Sequence, residues 1–365
     1  MLAGDKPGDN AQCRSLAAAL GWPTVVKDLR YRCRAPRWRL PFQAAVRFEL
    51  DVAASSALEP PWPDVVIGCG RRSVPVALGI RERAGPGTRL VQVGRPRANL
   101  AGFDLVVTTP QYRLPERSNV LHLSAPMHHR DQAALARAAA EWEPQLAHLS
   151  RPRIALFVGG QAKPFVFPAE RARELAHEAS RFAAAQSGSL LVTTSRRTPE
   201  AAVDALCAAL TGPSYVHRWS GAGSANPYLA FLALADAFVV TGDSASMLAE
   251  ACATGRPVYL FDLPQHRPAS WRRERFLRNL VLAPSEWARA TGRGGLVERV
   301  ARVFAEIPAR GWVRYPRDLS RLHAALVAEG RLRPLGQRFE RPPPPPVDET
   351  ERAAARVREL VATAR

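Results

Sequence analysis

No stretch of this 365-residue chain approaches the roughly 20 uninterrupted apolar residues that a membrane-spanning helix requires, although 47% of its residues are hydrophobic. The chain therefore reads as soluble. Its opening residues, Met1-Leu2-Ala3-Gly4-Asp5-Lys6-Pro7-Gly8, lack the charged segment, apolar core and small-residue cleavage site of a secretory signal, so a cytoplasmic location is expected. Cysteine is scarce. Its five residues, at positions 13, 33, 69, 207 and 252, show no CxxC spacing, which excludes a disulfide framework and a zinc site built on cysteine pairs. Lysine is nearly missing: of 51 basic residues only Lys6, Lys27 and Lys163 are lysines, so the formal net charge of +18 is arginine charge. An Ala/Arg/Pro-rich composition produces such an excess by itself. Among partners it admits an anionic membrane surface or an anionic substrate, and it supports nucleic acid least.

At this length two domains are the natural division. Short runs rich in valine, isoleucine and leucine alternate with helical patterns, the rhythm of βαβ units with buried parallel strands. Strands are expected at Asp64–Ile67, Leu90–Val93, Leu105–Thr108 and Val120–Leu123 in the first half. In the second they are expected at Arg153–Val158, Ser189–Thr194, Tyr215–Trp219, Ala237–Thr241 and Pro257–Phe261. The expected fold class is α/β, with two Rossmann-like doubly wound domains at residues 1–130 and 151–335. A connector helix at 131–150 separates them, and a proline-rich linker and tail follow at 336–365. Helical patterns within 265–307, such as Gly295–Glu306, either pack on the second domain or cross back to the first. Five prolines after Arg341 favour polyproline II. Beyond them, Asp348–Ala364 reads either as an amphipathic helix, through Ala353, Val357, Leu360 and Val361, or as a solvated tail. At the start, the glycine-rich segment Gly4–Asn10 precedes a helix expected at Ala11–Leu20, with only Met1–Ala3 left for a strand before it. Either that strand is very short or the start is truncated.

Three segments of the second domain carry candidate chemistry. Its first strand runs into Gly159-Gly160-Gln161, where missing side chains let backbone amides approach a phosphate; a tight strand-to-loop turn uses the same residues. The second strand ends in Thr194-Ser195-Arg196-Arg197-Thr198-Pro199, whose guanidinium forks suit phosphate oxygens and whose Thr198 also suits a helix cap. The fourth opens into Gly242-Asp243-Ser244-Ala245-Ser246 ahead of a helix expected at Met247–Thr254. Asp243, Ser244, Ser246 and Met247 stand at the helix start and Glu250 about one turn in, placed to accept ribose hydroxyls. A capped, partly exposed helix is the plainer account of that stretch.

Glu250-Ala251 through Gly255 and Pro257 resembles the donor-site signature of glycosyltransferases of the GT-B fold. More specifically, three blocks taken in order resemble the bacterial members of the mitochondrial-fission (elongated mitochondria) family. They are Gly4-Asp5-Lys6-Pro7-Gly8 with Gln12, Thr194–Pro199, and Thr241 through Glu250-Ala251. The resemblance covers most of residues 4–264. It implies two Rossmann-like domains facing across a cleft, with a nucleoside-diphosphate sugar on the second: ribose on Glu250, diphosphate on the loops at Gly159-Gly160 and Asp243–Ser246. It places an acceptor on the first domain, near Lys6, Gly8, Asn10, Gln12, Arg71 and Arg72. Asp5 and Asp9 are the candidate general bases. No cofactor is implied, since helix amides and arginines can stabilise a leaving diphosphate. The expected function is thus nucleotide-sugar-dependent glycosyl transfer, to a cell-envelope lipid or saccharide at the inner membrane surface. A sugar-nucleotide epimerase and a non-catalytic membrane-associated adaptor are the alternatives.

Other patterns are set aside. Gly68-Cys69-Gly70-Arg71-Arg72-Ser73 lacks the third glycine of a dinucleotide fingerprint, and no acidic residue ends the following strand. His128 and His129 are adjacent, so they point apart, and no third ligand is suitably spaced; the expected number of metals is none. Gly242-x-Ser244-x-Ser246 falls one residue short of a nucleophile elbow.

Overall fold

The computed structural model describes residues 1–32, 50–129, 131–221, 225–266, 306, 307, 309, 310, 317–336 and 348–363. The helix expected at Gly295–Glu306, save its last residue, and the proline run lie outside the described residues. The chain forms two compact units.

In the first unit, β3 (Val65–Cys69), β4 (Arg89–Val93), β5 (Leu105–Thr108) and β6 (Val120–His122) make one parallel sheet in that order, and β1 (Leu2–Ala3) pairs in parallel with β2 (Lys27–Asp28). β1 lies alongside β3, so the chain winds outward from this junction in both directions. Alternate strand residues serve opposite faces. Helix α1 (Pro7–Leu20) covers Ile67, Val91, Leu105 and Val107 with Cys13, Leu16 and Leu20, while helix α2 (Gly70–Ala84) covers Val66, Leu90 and Val106 with Val74, Ala77 and Ile80. Each such buried aliphatic side chain contributes about 1.5–3 kcal/mol before conformational entropy is counted. Helix α1 starts four residues earlier than expected. Pro7 sits at its first position, where the fixed φ fits the helix and no N–H is missed, so the Gly/Pro-rich stretch reads as a loop but folds as a first turn.

The second unit is one six-stranded parallel sheet of order β12-β11-β10-β7-β8-β9. Its strands are β7 (Arg153–Phe157), β8 (Ser189–Thr193), β9 (Ser214–His217), β10 (Ala237–Thr241), β11 (Val258–Phe261) and β12 (Arg333–Pro334). β7, β8 and β10 are buried along their whole length, as parallel strands covered on both faces must be. Helices α3 (Gln132–Leu146), α4 (Ala169–Ala184), α5 (Glu200–Ala209), α6 (Tyr228–Leu234), α7 (Ala245–Ala253) and α8 (Leu319–Ala328) complete it. Helix α3, expected to connect the domains, is part of this unit: it packs on α6, its Trp142 meets Tyr215 edge-on at 5.9 Å, and Glu143 takes the Arg153 guanidinium at 2.9 Å. Local patterning marks it as amphipathic but says nothing of which core receives its apolar stripe.

The C-terminal segment resolves an open alternative. Helix α9 (Glu349–Ala362) is amphipathic and packs on α1 in the first unit, with Ala353, Ala354 and Val357 fully buried. Its N-terminus is tied down three ways. The Asp348 carboxylate caps Thr350 N–H at 2.8 Å, the Glu349 carboxylate accepts from the amide of Ser124 at 2.8 Å and from its hydroxyl, and Thr350 Oγ1 donates to the His128 carbonyl at 2.8 Å.

Candidate functional site

The strand order of the second unit reverses between β7 and β10. Register pairs Val240 with Phe157, Phe157 with Thr193 and Thr241 with Phe261, which brings the carboxyl ends of β10, β7, β8 and β11 to one edge. Ligands of open α/β sheets bind in the crevice outside that point. Three loops meet there, held around the side chain of Asp243, which is wholly buried. Its Oδ2 accepts from Gly160 N–H at 2.9 Å and from Arg197 Nη2 at 3.0 Å, and its Oδ1 accepts from Thr241 Oγ1 at 2.8 Å. Thr241 Oγ1 in turn accepts Gly159 N–H at 2.8 Å. Ser195 and Thr198 hydroxyls both donate to the Gly159 carbonyl, and Gln161 N–H reaches the Arg197 carbonyl at 3.0 Å. The glycines are required by this closeness: a Cβ on Gly159 would stand 2.2 Å from Asp243 Oδ1, and one on Gly160 2.2 Å from the Arg197 carbonyl.

This geometry redistributes the roles. The amides of Gly159, Gly160 and Gln161 are all engaged within the protein, so the glycine loop is a spacer that lets β7 and β8 loops touch. Asp243 is the post on which both are tied. The groups at the edge itself are the start of α7, where Ser244 makes no side-chain cap, the half-buried Ser246 and Met247, and the exposed Arg196 and Gln161. Helix α7 begins at Ala245, two residues earlier than expected, because Ser244 already stands at the N-cap position. Ser246 and Met247 therefore lie in its first turn, where amides carry the positive end of the helix dipole.

Glu250 lies on α7 with its carboxylate Oε2 accepting the phenol of Tyr228, whose ring packs tilted on Phe157 at 4.6 Å between centroids. Burial pushes the Glu250 carboxyl above its ordinary 4.5, with the Tyr228 hydrogen bond pulling the other way. Burial likewise raises Asp243 above 3.8 despite Arg197, and raises Tyr228 well above 10. Both carboxyls hold protons more tightly folded than unfolded. The stability they contribute is therefore full below the unfolded values and lost as pH rises through the folded ones. Glu250→Gln is expected to flatten the fall in stability with rising pH, followed by urea unfolding from about pH 4 to about pH 8. An unchanged slope would exclude Glu250 as its source.

In the first unit the corresponding edge, at the ends of β1 and β3, holds a cavity of about 190 Å³. The Asn10 side chain braces its loop, accepting Gly4 N–H at 2.9 Å and donating to the Gly4 carbonyl at 2.8 Å. Asp5 is paired with Arg72 at 2.9 Å, and Arg72 also lies over the Tyr31 ring at 5.1 Å. Asp9 faces Lys6 at 3.9 Å and stands beside Gly70. Arg71 joins the lining; Gly8 and Gln12 lie on α1 outside it. The structure thus gathers Asp5, Lys6, Asp9, Asn10, Arg71 and Arg72 on one edge of the first unit. The residues expected on a donor side, Gly159, Gly160, Gln161, Ser195, Arg196, Arg197, Asp243, Ser244, Ser246, Met247 and Glu250, gather on one edge of the second. Tyr228 escapes sequence reasoning, since Tyr-Leu-Ala-Phe-Leu-Ala-Leu reads as an apolar helix and nothing local points its hydroxyl at Glu250. His323 escapes too: it approaches Asp262 at 3.8 Å beneath Gly242, from a helix much later in the chain.

These features define a doubly wound α/β protein, GT-B-like in carrying two Rossmann-like units in one chain. The chain belongs to the family described as mitochondrial fission ELM1, whose pattern its residues 7–290 match. It is 29% identical over 289 residues to the mitochondrial fission protein ELM1 of Arabidopsis thaliana, covering 71% of this chain and 67% of that protein. It is 23% identical over 340 residues to an uncharacterized protein, RP120, of Rickettsia prowazekii (strain Madrid E), covering 84% and 90%. Among solved structures, it is similar to the UDP-GlcNAc 2-epimerase of Methanocaldococcus jannaschii, with TM-score 0.47, 11% identity and 98% of each chain covered. It is also similar to MurG of Acinetobacter baumannii, with TM-score 0.41, 12% identity and coverage of 100% of this chain and 98% of that one.

Proposed function

We propose that the chain is a glycosyltransferase of GT-B type that uses a nucleoside-diphosphate sugar. The observation that carries this reading is the edge of the second unit, where an uncapped helix start, an exposed arginine and the half-buried Glu250 carboxylate converge at the point where the strand order reverses. The diphosphate lies on the first-turn amides of α7, with Ser246 and Arg196 as further donors. Glu250, aimed by Tyr228, accepts from the ribose. Asp243 and Arg197 hold the loops rather than the ligand. In the first unit, Lys6 and Arg71 receive an anionic acceptor, and Asp9 serves as general base for its hydroxyl while Asp5 remains paired with Arg72.

Thermal unfolding of the full chain with UDP, GDP, CMP and ADP sugars tests the donor assignment. One nucleotide is expected to raise the melting temperature of the wild type by a few degrees, since ligand at about 100 times its Kd adds roughly 2.7 kcal/mol. Glu250→Ala and Arg196→Ala should each abolish most of that rise. If no nucleotide stabilises the wild type, the reading is wrong. Conversion of the stabilising donor without any acceptor would replace transfer by epimerisation.

A further inference from the structure

At the opposite, amino-terminal edge of the same β1–β3 junction, the first unit opens into a second cavity, of about 900 Å³. β1 and β3 are adjacent but belong to separate ladders, and the space enters where that seam begins, beside Met1 and Val65. It reaches both core layers. Leu20 and Ile67 line it from the layer under α1, and Val66 and Ile80 from the layer under α2. The last turn of α9 closes one side with Val361 and Ala362, and Trp62 stands at another. The size and the largely apolar, aromatic lining are those of a ligand pocket, and water would find few hydrogen-bond partners along these walls.

The charged groups that border the cavity are mixed in sign. Lys27, Arg358 and the N-terminal amine are set against Glu59 and Asp64. Arg358 is already paired with Glu351 at 2.6 Å, and the amine donates to the Val25 carbonyl at 2.8 Å. Such a border does not select an anionic head group. Trp22 and Val25, which also line the cavity, and the neighbouring Val26 are 37%, 66% and 42% exposed, three of the seven exposed large hydrophobics among the described residues, within five consecutive positions. A tryptophan with valines exposed on one loop suits the interfacial layer of a bilayer, where an amphipathic ring and apolar side chains are both accommodated.

We propose that this cavity receives an acyl chain of a zwitterionic membrane lipid, with residues 22–26 resting in the membrane interface at its mouth. The site is separate from both ligand edges described above and does not depend on the transferase reading. It assigns membrane contact to an apolar loop and pocket rather than to the arginine excess of the chain.

Two assays on the full-length protein test it: fluorescence titration with cis-parinaric acid, and co-flotation with vesicles of dioleoylphosphatidylcholine. The wild type is expected to bind parinarate at one site per chain and to float with the vesicles. Ala362→Trp, which fills the mouth from an exposed position on α9, should weaken parinarate binding by about tenfold. Thr24→Trp fills it from the loop after α1 and serves if circular dichroism shows the first variant misfolded. Val26→Asp, on the same loop but outside the cavity lining, should retain parinarate binding and lose flotation. The proposal is overturned if the wild type does not bind parinarate, or if both filling variants bind it as the wild type does. It is equally overturned if flotation is absent, persists in Val26→Asp, or requires anionic phosphatidylglycerol.

Discussion

Asp243→Ala is expected to destabilise the second unit by about 3 kcal/mol and to remove its nucleotide-dependent stabilisation. The buried carboxylate satisfies Gly160 N–H, the Thr241 hydroxyl and one arm of Arg197 at once. Arg197 is 36% exposed and turns to water when its partner goes. The other two donors cannot, and an unsatisfied buried donor costs about 1–3 kcal/mol. Relief of the buried charge, whose carboxyl is already raised by desolvation, offsets part of this. Asp243→Asn keeps the volume and one acceptor oxygen but turns an amide toward donors, so it should fall between the two. Urea unfolding, with and without the nucleotide found by thermal screening, measures both effects. An alanine variant within about 0.5 kcal/mol of the wild type would show that the three loops hold without this post.

Val357→Asp should cost the first unit about 4 kcal/mol or more and release α9 from α1. Val357 is fully buried in a cluster with Leu16, Ile67 and Met127, where a new carboxylate has no partner and must either stay charged in an apolar site or bind a proton. Val357→Ala removes only contacts and should cost about 2 kcal/mol. Thermal unfolding together with limited proteolysis separates the two. Cleavage near residue 348 without loss of the remaining first unit would mean that α9 is an accessory helix rather than a layer of the core.

All nine expected strands form, each within about two residues, because parallel strands buried on both faces must be apolar runs and the helices between them must be amphipathic. The short strands β1, β2 and β12 carry too few residues for any period: Leu2–Ala3 is only hinted at by the loop after it, and Lys27–Asp28 and Arg333–Pro334 have no strand signal at all. The helix starts of α1 and α7 come early for a related reason, since proline, glycine and serine punctuate loops and first turns alike.

The sequence alone determined the α/β class, the two units, the family, and the loops that reach the strand ends, because propensity, periodicity and turn chemistry act over a few residues. Which side chains in those loops face the crevice and which hold it together was decided by tertiary structure. Asp243 looks like a phosphate-side residue in its own segment, yet it binds Gly160, 83 residues away, and is buried as a result. Glu250 is aimed by a tyrosine from another helix. The arginine count reads as compositional and only admits an anionic membrane surface or substrate, whereas the apolar cavity arises where β1 and β3 lie side by side without sharing a ladder. Each of these depends on sheet register, which sets distant residues against one another and leaves no trace in any single stretch of chain.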